Sequence, residues 1–252
     1  MPTVTTPHGR SLDLLRSGGP HLSVGMLTAN LLDLGNELDR LAGAGAELVH
    51  VDAMDGVYCP ELTFGPPMVK AIRTPLLKDC HLMVSDPISK VEAFVAAGAD
   101  IITIHLAGVN HPHRALHLIG AATNVNNPER GIIRGVGLDP STPIDAIEPV
   151  LDQVDLVLVL AIDPGWSGQT FLPVTGERVE RARRLIDASG RPILLGVDGG
   201  VTKSNIDHVG SLGVDLIVTG SAVFDGGDVA ANFAFMRDQA SAGAVRSRAA
   251  SR

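Results

Sequence analysis

Short apolar runs alternate with longer amphipathic stretches through most of the chain. Eight runs read as strands: residues 22–27, 48–53, 79–84, 101–105, 133–138, 156–162, 193–197 and 216–219. Between them, stretches such as 30–42, 87–97, 143–151, 175–188 and 203–212 carry helical spacing, and several begin at Pro or follow Asp, Ser or Thr, as helices do. One junction recurs. Ala44-Gly45-Ala46-Glu47-Leu48, Ala97-Gly98-Ala99-Asp100-Ile101 and Leu212-Gly213-Val214-Asp215-Leu216 each set a glycine between a helical pattern and a strand-like run. Glycine is favoured just past a helix end, so each junction reads as helix, cap, strand. Eight such alternations predict a single-domain α/β fold, a closed (β/α)8 TIM barrel over residues 22–240. An open doubly wound sheet is the competing layout, but no G-x-G-x-x-G follows the first strand.

Residues 1–21 read as an N-terminal extension and 241–252 as a flexible C-terminal tail, in which Arg246, Arg248 and Arg252 are solvated charges. The polar stretch 122–131 reads as an enlarged loop entering the fifth strand. Composition narrows the partners. With 45% apolar and only 3% aromatic residues, the core must be aliphatic, and a formal charge of −8 argues against nucleic acid or an anionic membrane. The two cysteines, Cys59 and Cys80, fit a reducing compartment, and no run suits a membrane span or a secretory leader, so a cytoplasmic protein is expected. A small-molecule partner and a homo-oligomer are the expectations.

The chemistry lies where strands end. In an extended strand alternate side chains share a face, so His50 and Asp52 project together; His81 and Asp198 end or follow two other runs. Barrel strands converge at their C-terminal ends, where active sites sit. Two imidazoles and two carboxylates from three strands therefore predict a site for one divalent ion: Zn, Fe, Mn or Co. Asp163-Pro164-Gly165-Trp166-Ser167-Gly168-Gln169, Gly199-Gly200 and Gly220-Ser221 follow strands six, seven and eight. Glycine-rich loops there expose backbone N–H groups and predict a phosphate cradle, with Trp166 in a mobile lid. Met54 and Met83, each two residues beyond a ligand position, suit an apolar wall beside the reacting carbon. Asp55 reads as a turn residue, His105 as structural, and His111, His113 and His117 as a solvated loop and helix face.

The blocks His50 through Gly56, Leu62-Thr63-Phe64-Gly65-Pro66-Pro67, His81-Leu82-Met83-Val84, Pro164 through Gln169, Val197 through Gly200 and Gly220-Ser221-Ala222 together resemble the ribulose-phosphate 3-epimerase family, over nearly the whole chain from Leu22 to Phe224. The resemblance implies a (β/α)8 barrel that interconverts D-ribulose 5-phosphate and D-xylulose 5-phosphate with a divalent metal. It further implies that His50, Asp52, His81 and Asp198 bind that metal and that Asp52 and Asp198 form the proton-transfer pair. Some positions depart from the family pattern: Gly25 stands for a usual serine, Leu160 for a methionine of the apolar wall, and Gly165-Trp166-Ser167-Gly168 for Gly-Phe-Gly-Gly. Gly25 removes a hydroxyl facing the sugar, so a 3-epimerase of a ketohexose 6-phosphate, such as allulose 6-phosphate, is the alternative. A sugar-acid phosphate decarboxylase of the same barrel superfamily would need a cation near the developing charge, and no Lys lies at these strand ends. A non-catalytic sugar-phosphate binder is opposed by the intact four-residue set.

Overall fold

The computed structural model describes residues 12 and 15–250. Eight parallel strands close into a barrel in chain order: β1 (His21–Gly25), β2 (Leu48–Met54), β3 (Leu77–Met83), β4 (Ile101–His105), β5 (Ile133–Leu138), β6 (Leu156–Leu160), β7 (Leu194–Asp198) and β8 (Leu216–Thr219), with β8 pairing back onto β1. The expected barrel is the observed one. Helices α1 (Leu34–Gly43), α2 (Pro66–Ala71), α3 (Val91–Ala97) and α4 (Pro112–Ala121) follow the first four strands; α5 (Thr175–Ser189), α6 (Ile206–Ser211) and α7 (Val229–Ala250) follow the last three. The recurring junction glycines, Gly45, Gly98 and Gly213, all have positive φ, the conformation that ends a helix without strain on Cβ.

Boundaries moved where loop chemistry intervenes. β1 gives way at Met26 to a short 3-10 turn (Met26–Thr28), and α1 starts at Leu34, later than the periodicity suggested. After β5 the segment Ile144–Val150 is a 3-10 helix, and it contains Pro149, which removes an N–H donor and crowds the preceding turn of an α-helix. Residues 241–250, expected as a frayed tail, continue α7. The reason is packing against α6. A Cβ on Gly210 would meet the Ala240 carbonyl oxygen at 2.2 Å, and one on Gly243 would meet that of Asp207 at 2.0 Å, so the two backbones touch through glycine. Arg246, in that segment, pairs with Asp207. Arg252 and most of the N-terminal extension lie outside the described residues.

Strand alternation sorts the interior. On β2, Val49, Val51 and Ala53 join the cluster packed between barrel and helices, while Leu48, His50 and Asp52 occupy the alternate, inward positions. Leu48, Leu77, Ile101, Ile133, Leu156, Leu194 and Leu216 form an aliphatic layer at the N-terminal end of the barrel, joined by Leu12 and Leu15. Nearer the C-terminal mouth the interior divides between Leu158, Leu160 and Val218 and a buried polar group that includes Ser23, His50, Asp79 and Thr103. The enlarged loop at 122–131 is tied to the N-terminal end of β4: Asn124 Nδ2 and Arg130 Nη2 each donate to Asp100 Oδ1 at 2.9 Å. No helix among the described residues is long and apolar enough to cross a membrane.

Candidate metal centre and its cavity

The register of β2 on β3 sets Asp52 beside His81 and His50 beside Asp79. Asp198, the last residue of β7, reaches the same point from across the mouth. His50 Nε2 lies 3.2 Å from Asp52 Oδ1, 3.3 Å from His81 Nδ1 and 3.8 Å from Asp198 Oδ2. His81 Nδ1 lies 3.4 Å from Asp52 Oδ1 and 3.2 Å from Asp198 Oδ2. All four donor atoms fall within 4.8 Å of one another. Ligand bonds of about 2.1 Å put the corners of a tetrahedron about 3.4 Å apart. These spacings and the mixed imidazole–carboxylate donors fit a divalent transition metal. The imidazoles are fully buried, while Asp52 and Asp198 keep 17% and 16% exposure, enough to face a bound molecule.

Behind the donors, each imidazole has its own support. His50 Nδ1 donates to Asp79 Oδ2 at 2.8 Å, and that oxygen also accepts from Ser23 Oγ at 2.8 Å. His81 Nε2 lies 2.7 Å from His105 Nε2, and His105 Nδ1 lies 2.6 Å from Asp139 Oδ1. Tyr58 Oη donates to the other Asp139 oxygen. Thr63 holds the strand end, its Oγ1 accepting from the Met54 N–H at 2.9 Å and donating to the Asp52 carbonyl.

Electrostatics favour positive charge at this point. Burial works against charge on His50, yet Asp79 and Asp52 hold its pKa well above the ordinary imidazole value. Burial likewise opposes charge on His81, but Asp198 and Asp52 raise it to about 9. Burial pushes the Asp52 carboxyl upward; His50 and His81 overcome this and hold it well below the usual range, so it is ionised. His105 differs: burial dominates over Asp139 and keeps its imidazole below the ordinary value.

Above the donors opens a cavity of about 240 Å³. Asp52 and Asp198 reach it, as do Met54, Met83 and Leu160, and so do the cradle residues Gly165, Trp166, Ser167, Gly168, Gly199, Gly200, Gly220 and Ser221. Positive φ favours glycine at Gly165, Gly168, Gly199 and Gly200. Gly200 has φ +65°, and a Cβ there would meet the Phe171 backbone N at 2.7 Å; Gly165 has φ +117° and packs on Cys59 and Pro60. Gly25 leaves room, since an added Cβ would make only ordinary contact with Gly220 at 3.6 Å.

Other sequence candidates lie elsewhere. Asp55 belongs to loop structure: Oδ1 accepts from the N–H groups of Val57 and Tyr58, and Oδ2 from the N–H and hydroxyl of Ser85, tying the loops after β2 and β3 together. His113 and His117 lie on α4, beside an outer groove with Arg114 and Arg134, and His113 Nδ1 pairs with Gln153 Nε2 at 2.7 Å. Sequence reasoning missed Ser23, Tyr58, Asp79 and Asp139. Asp79 carried a signal, being two residues before His81 and hence on the same strand face; Asp139, one residue past β5, carried a fainter one.

Residues 21–224 match the model of the Ribulose-phosphate 3 epimerase family. The chain is 39% identical over 206 residues to "Ribulose-phosphate 3-epimerase" of Bacillus subtilis (strain 168), covering 81% of this chain and 91% of that one. It is 40% identical over 205 residues to the protein of the same name in Escherichia coli (strain K12), covering 79% and 87%. Among solved structures, 3-hexulose-6-phosphate synthase from Salmonella typhimurium shares the fold with a TM-score of 0.58 at 16% identity, over 87% of this chain and 98% of that one. A family match spanning the whole barrel, with relatives near 40% identity, settles the lineage: the chain belongs to the ribulose-phosphate 3-epimerase family of isomerases.

Proposed function

We propose that the protein interconverts D-ribulose 5-phosphate and D-xylulose 5-phosphate by moving the C3 proton through a planar enediolate. The observation that carries this reading is the meeting of Asp52 and Asp198, from strands on different sides of the mouth, at a two-histidine centre beneath a glycine-walled cavity. Inversion at C3 requires a proton to leave one face and another to arrive on the opposite face. Two carboxylates approaching from different strands serve as base and acid, and exchange roles in the reverse direction. Asp52, held ionised by its histidine neighbours, begins as a base.

His50, Asp52, His81 and Asp198 would hold one divalent ion, Zn(II), Fe(II), Mn(II) or Co(II). Such an ion supplies polarisation of the C2 carbonyl and offsets the negative charge that develops there. Met54, Met83 and Leu160 keep water from the reacting carbon. The glycine loops at Gly165 to Gly168, Gly199-Gly200 and Gly220-Ser221 offer backbone N–H groups to the phosphate, and Trp166 closes over it. The curated relatives favour the pentulose over the ketohexose.

The test presents metal-loaded protein with D-ribulose 5-phosphate, D-allulose 6-phosphate and a sugar-acid phosphate, following products by 13C NMR. The expected result is C3 epimerisation fastest on the pentulose phosphate, lost on chelation and restored by added metal. Faster turnover of the ketohexose phosphate, or CO2 release from the acid, overturns the reading.

A further inference from the structure

Beyond the four candidate ligands lies a chain of buried polar groups that epimerisation itself does not use: His105, Asp139 and Tyr58. His105 ends β4, with 1% exposure, and its ring lies edge to edge with that of His81, nearly coplanar, at a centroid separation of 4.9 Å and an interplanar angle of 21°. The space it fills depends on glycine in β5. A Cβ on Gly137 would come within 3.0 Å of His105 Nε2. His105 Nδ1 and Asp139 Oδ1 are both sealed from solvent and stand 2.6 Å apart as an ion-pair contact, with no well-aligned hydrogen bond to either atom among the described residues. The backbone of Asp139 is itself anchored, its carbonyl accepting from Arg178 Nη2 at 2.7 Å.

The hydrogen inventory of this chain has one consistent solution when His81 offers Nδ1 to a cation. His81 then carries its hydrogen on Nε2. Two hydrogens cannot occupy the 2.7 Å between His81 Nε2 and His105 Nε2, so His105 Nε2 accepts. A neutral His105 must therefore carry its hydrogen on Nδ1, where it meets the Asp139 carboxylate. Tyr58 donates to the second Asp139 oxygen and orients it. Every donor has an acceptor, and the direction is set by the one member that only accepts.

We infer that His105 and Asp139, steadied by Tyr58, are positioning residues that fix the tautomer and ring orientation of His81 so that its Nδ1 faces Asp52 and Asp198. This rests on the proposed metal reading of the four-residue centre. It makes the support of the two imidazoles unequal: His50 presents Nε2 through one directly bonded carboxylate, whereas His81 presents Nδ1 through a histidine relay. Groups that orient ligand histidines typically contribute about 10- to 100-fold to metal affinity or activity.

Two measurements on the full-length protein test it. Long-range 1H–15N correlation spectra of the Zn(II)-loaded protein should show His105 with hydrogen on Nδ1 and a bare, accepting Nε2, and His81 with hydrogen on Nε2. Hydrogen on His105 Nε2 overturns the inference. In Co(II) titrations, His105→Phe and Asp139→Leu should weaken affinity about 10- to 100-fold and shift the visible Co(II) absorption. Asp139→Asn, whose amide oxygen still accepts from His105, should stay within a few-fold of wild type. Folded His105→Phe with wild-type Co(II) affinity and spectrum overturns the inference while leaving the metal centre intact. If Asp139→Leu does not fold, the tautomer spectrum and His105→Phe decide. Wild-type protein that takes up no Co(II) overturns the metal reading itself.

Discussion

His50 Nε2 and His81 Nδ1 face each other across 3.3 Å, while the far nitrogen of His50 donates to Asp79 at 2.8 Å. In the neutral ring that donation leaves a lone pair on His50 Nε2, directed into a space bounded by another imidazole nitrogen and two carboxylates. Such a space suits a cation, and it sits where the two carboxylates proposed to move protons converge.

Removing one carboxylate should separate proton transfer from ion binding. Asp198→Asn keeps side-chain size and one oxygen donor but loses the proton-transferring group, so kcat should fall about 10² to 10⁴-fold in protein that still binds one Co(II). Asp52→Asn should fall comparably, and each variant should exchange the C3 proton of one epimer preferentially. Steady-state rates at measured metal content check this. Near wild-type rates in both variants contradict the pair.

Phosphate binding is tested at Gly220 rather than Gly200. A side chain at Gly200 would be strained by its positive φ and would strike the Phe171 backbone, so loop distortion would confuse the result. Gly220 has no positive φ, but an added Cβ would crowd Thr28 Oγ1 at 2.7 Å and the Gly25 carbonyl at 2.9 Å at the rim of the cavity, so the result is read only in protein of wild-type Tm. Gly220→Ala should raise KM for the phosphorylated ketose about 10-fold, or ~1.4 kcal/mol, with circular dichroism unchanged. An unchanged KM removes this loop from the phosphate site.

How much of this was legible in the sequence follows from which contacts are local. Strands showed as apolar runs after cap glycines, and β4, β5 and β8 have the expected bounds. His50 and Asp52 were legible because two residues on one strand must share a face. The contacts of His50 with Asp79 and of His81 with His105 were not, since they depend on the register between strands, which barrel closure sets. Tyr58 and Asp139 meet across 81 positions of sequence, from two loops whose paths have no periodicity. The helix running through 241–250 was hidden because its buried face there is Gly243 and Ala244, packed close on α6, with no bulky apolar residue to mark it.

Asp55 gives a pH-dependent signature of loop stability. Burial works to raise its carboxyl pKa, but bonds from the N–H groups of Ser85, Tyr58 and Val57 prevail and lower it to about 2 from the ordinary 3.8. A depressed folded-state pKa stabilises above the unfolded value, and that contribution disappears as pH falls through the folded one. Asp55→Ala should therefore lower stability by about 1 kcal/mol at pH 7, solvent screening keeping the loss small. The gap from wild type should narrow between pH 4 and 2. Urea unfolding across pH checks this, and a gap of constant size would show that the charge is not the cause.

The seam between α6 and α7 should tolerate no side chain at Gly210. Helix propensity alone favours alanine over glycine by about 1 kcal/mol. Here the new Cβ would stand 2.2 Å from the Ala240 carbonyl oxygen, an overlap that the helices can relieve only by separating. Overpacking typically costs about 1–3 kcal/mol, so Gly210→Ala should lower the urea midpoint. A raised midpoint would mean that the helices sit further apart than described.

Epimerisation through two carboxylates is tested most directly by following deuterium at C3. Metal-loaded protein is given D-ribulose 5-phosphate in D2O, and NMR is recorded during the first turnovers. Because one carboxylate removes the proton and the other delivers one from solvent, newly formed D-xylulose 5-phosphate should carry deuterium at C3 and none at C1, while recovered ribulose 5-phosphate keeps its hydrogen. Product that retains the original C3 hydrogen, or that gains deuterium at C1, would contradict the account.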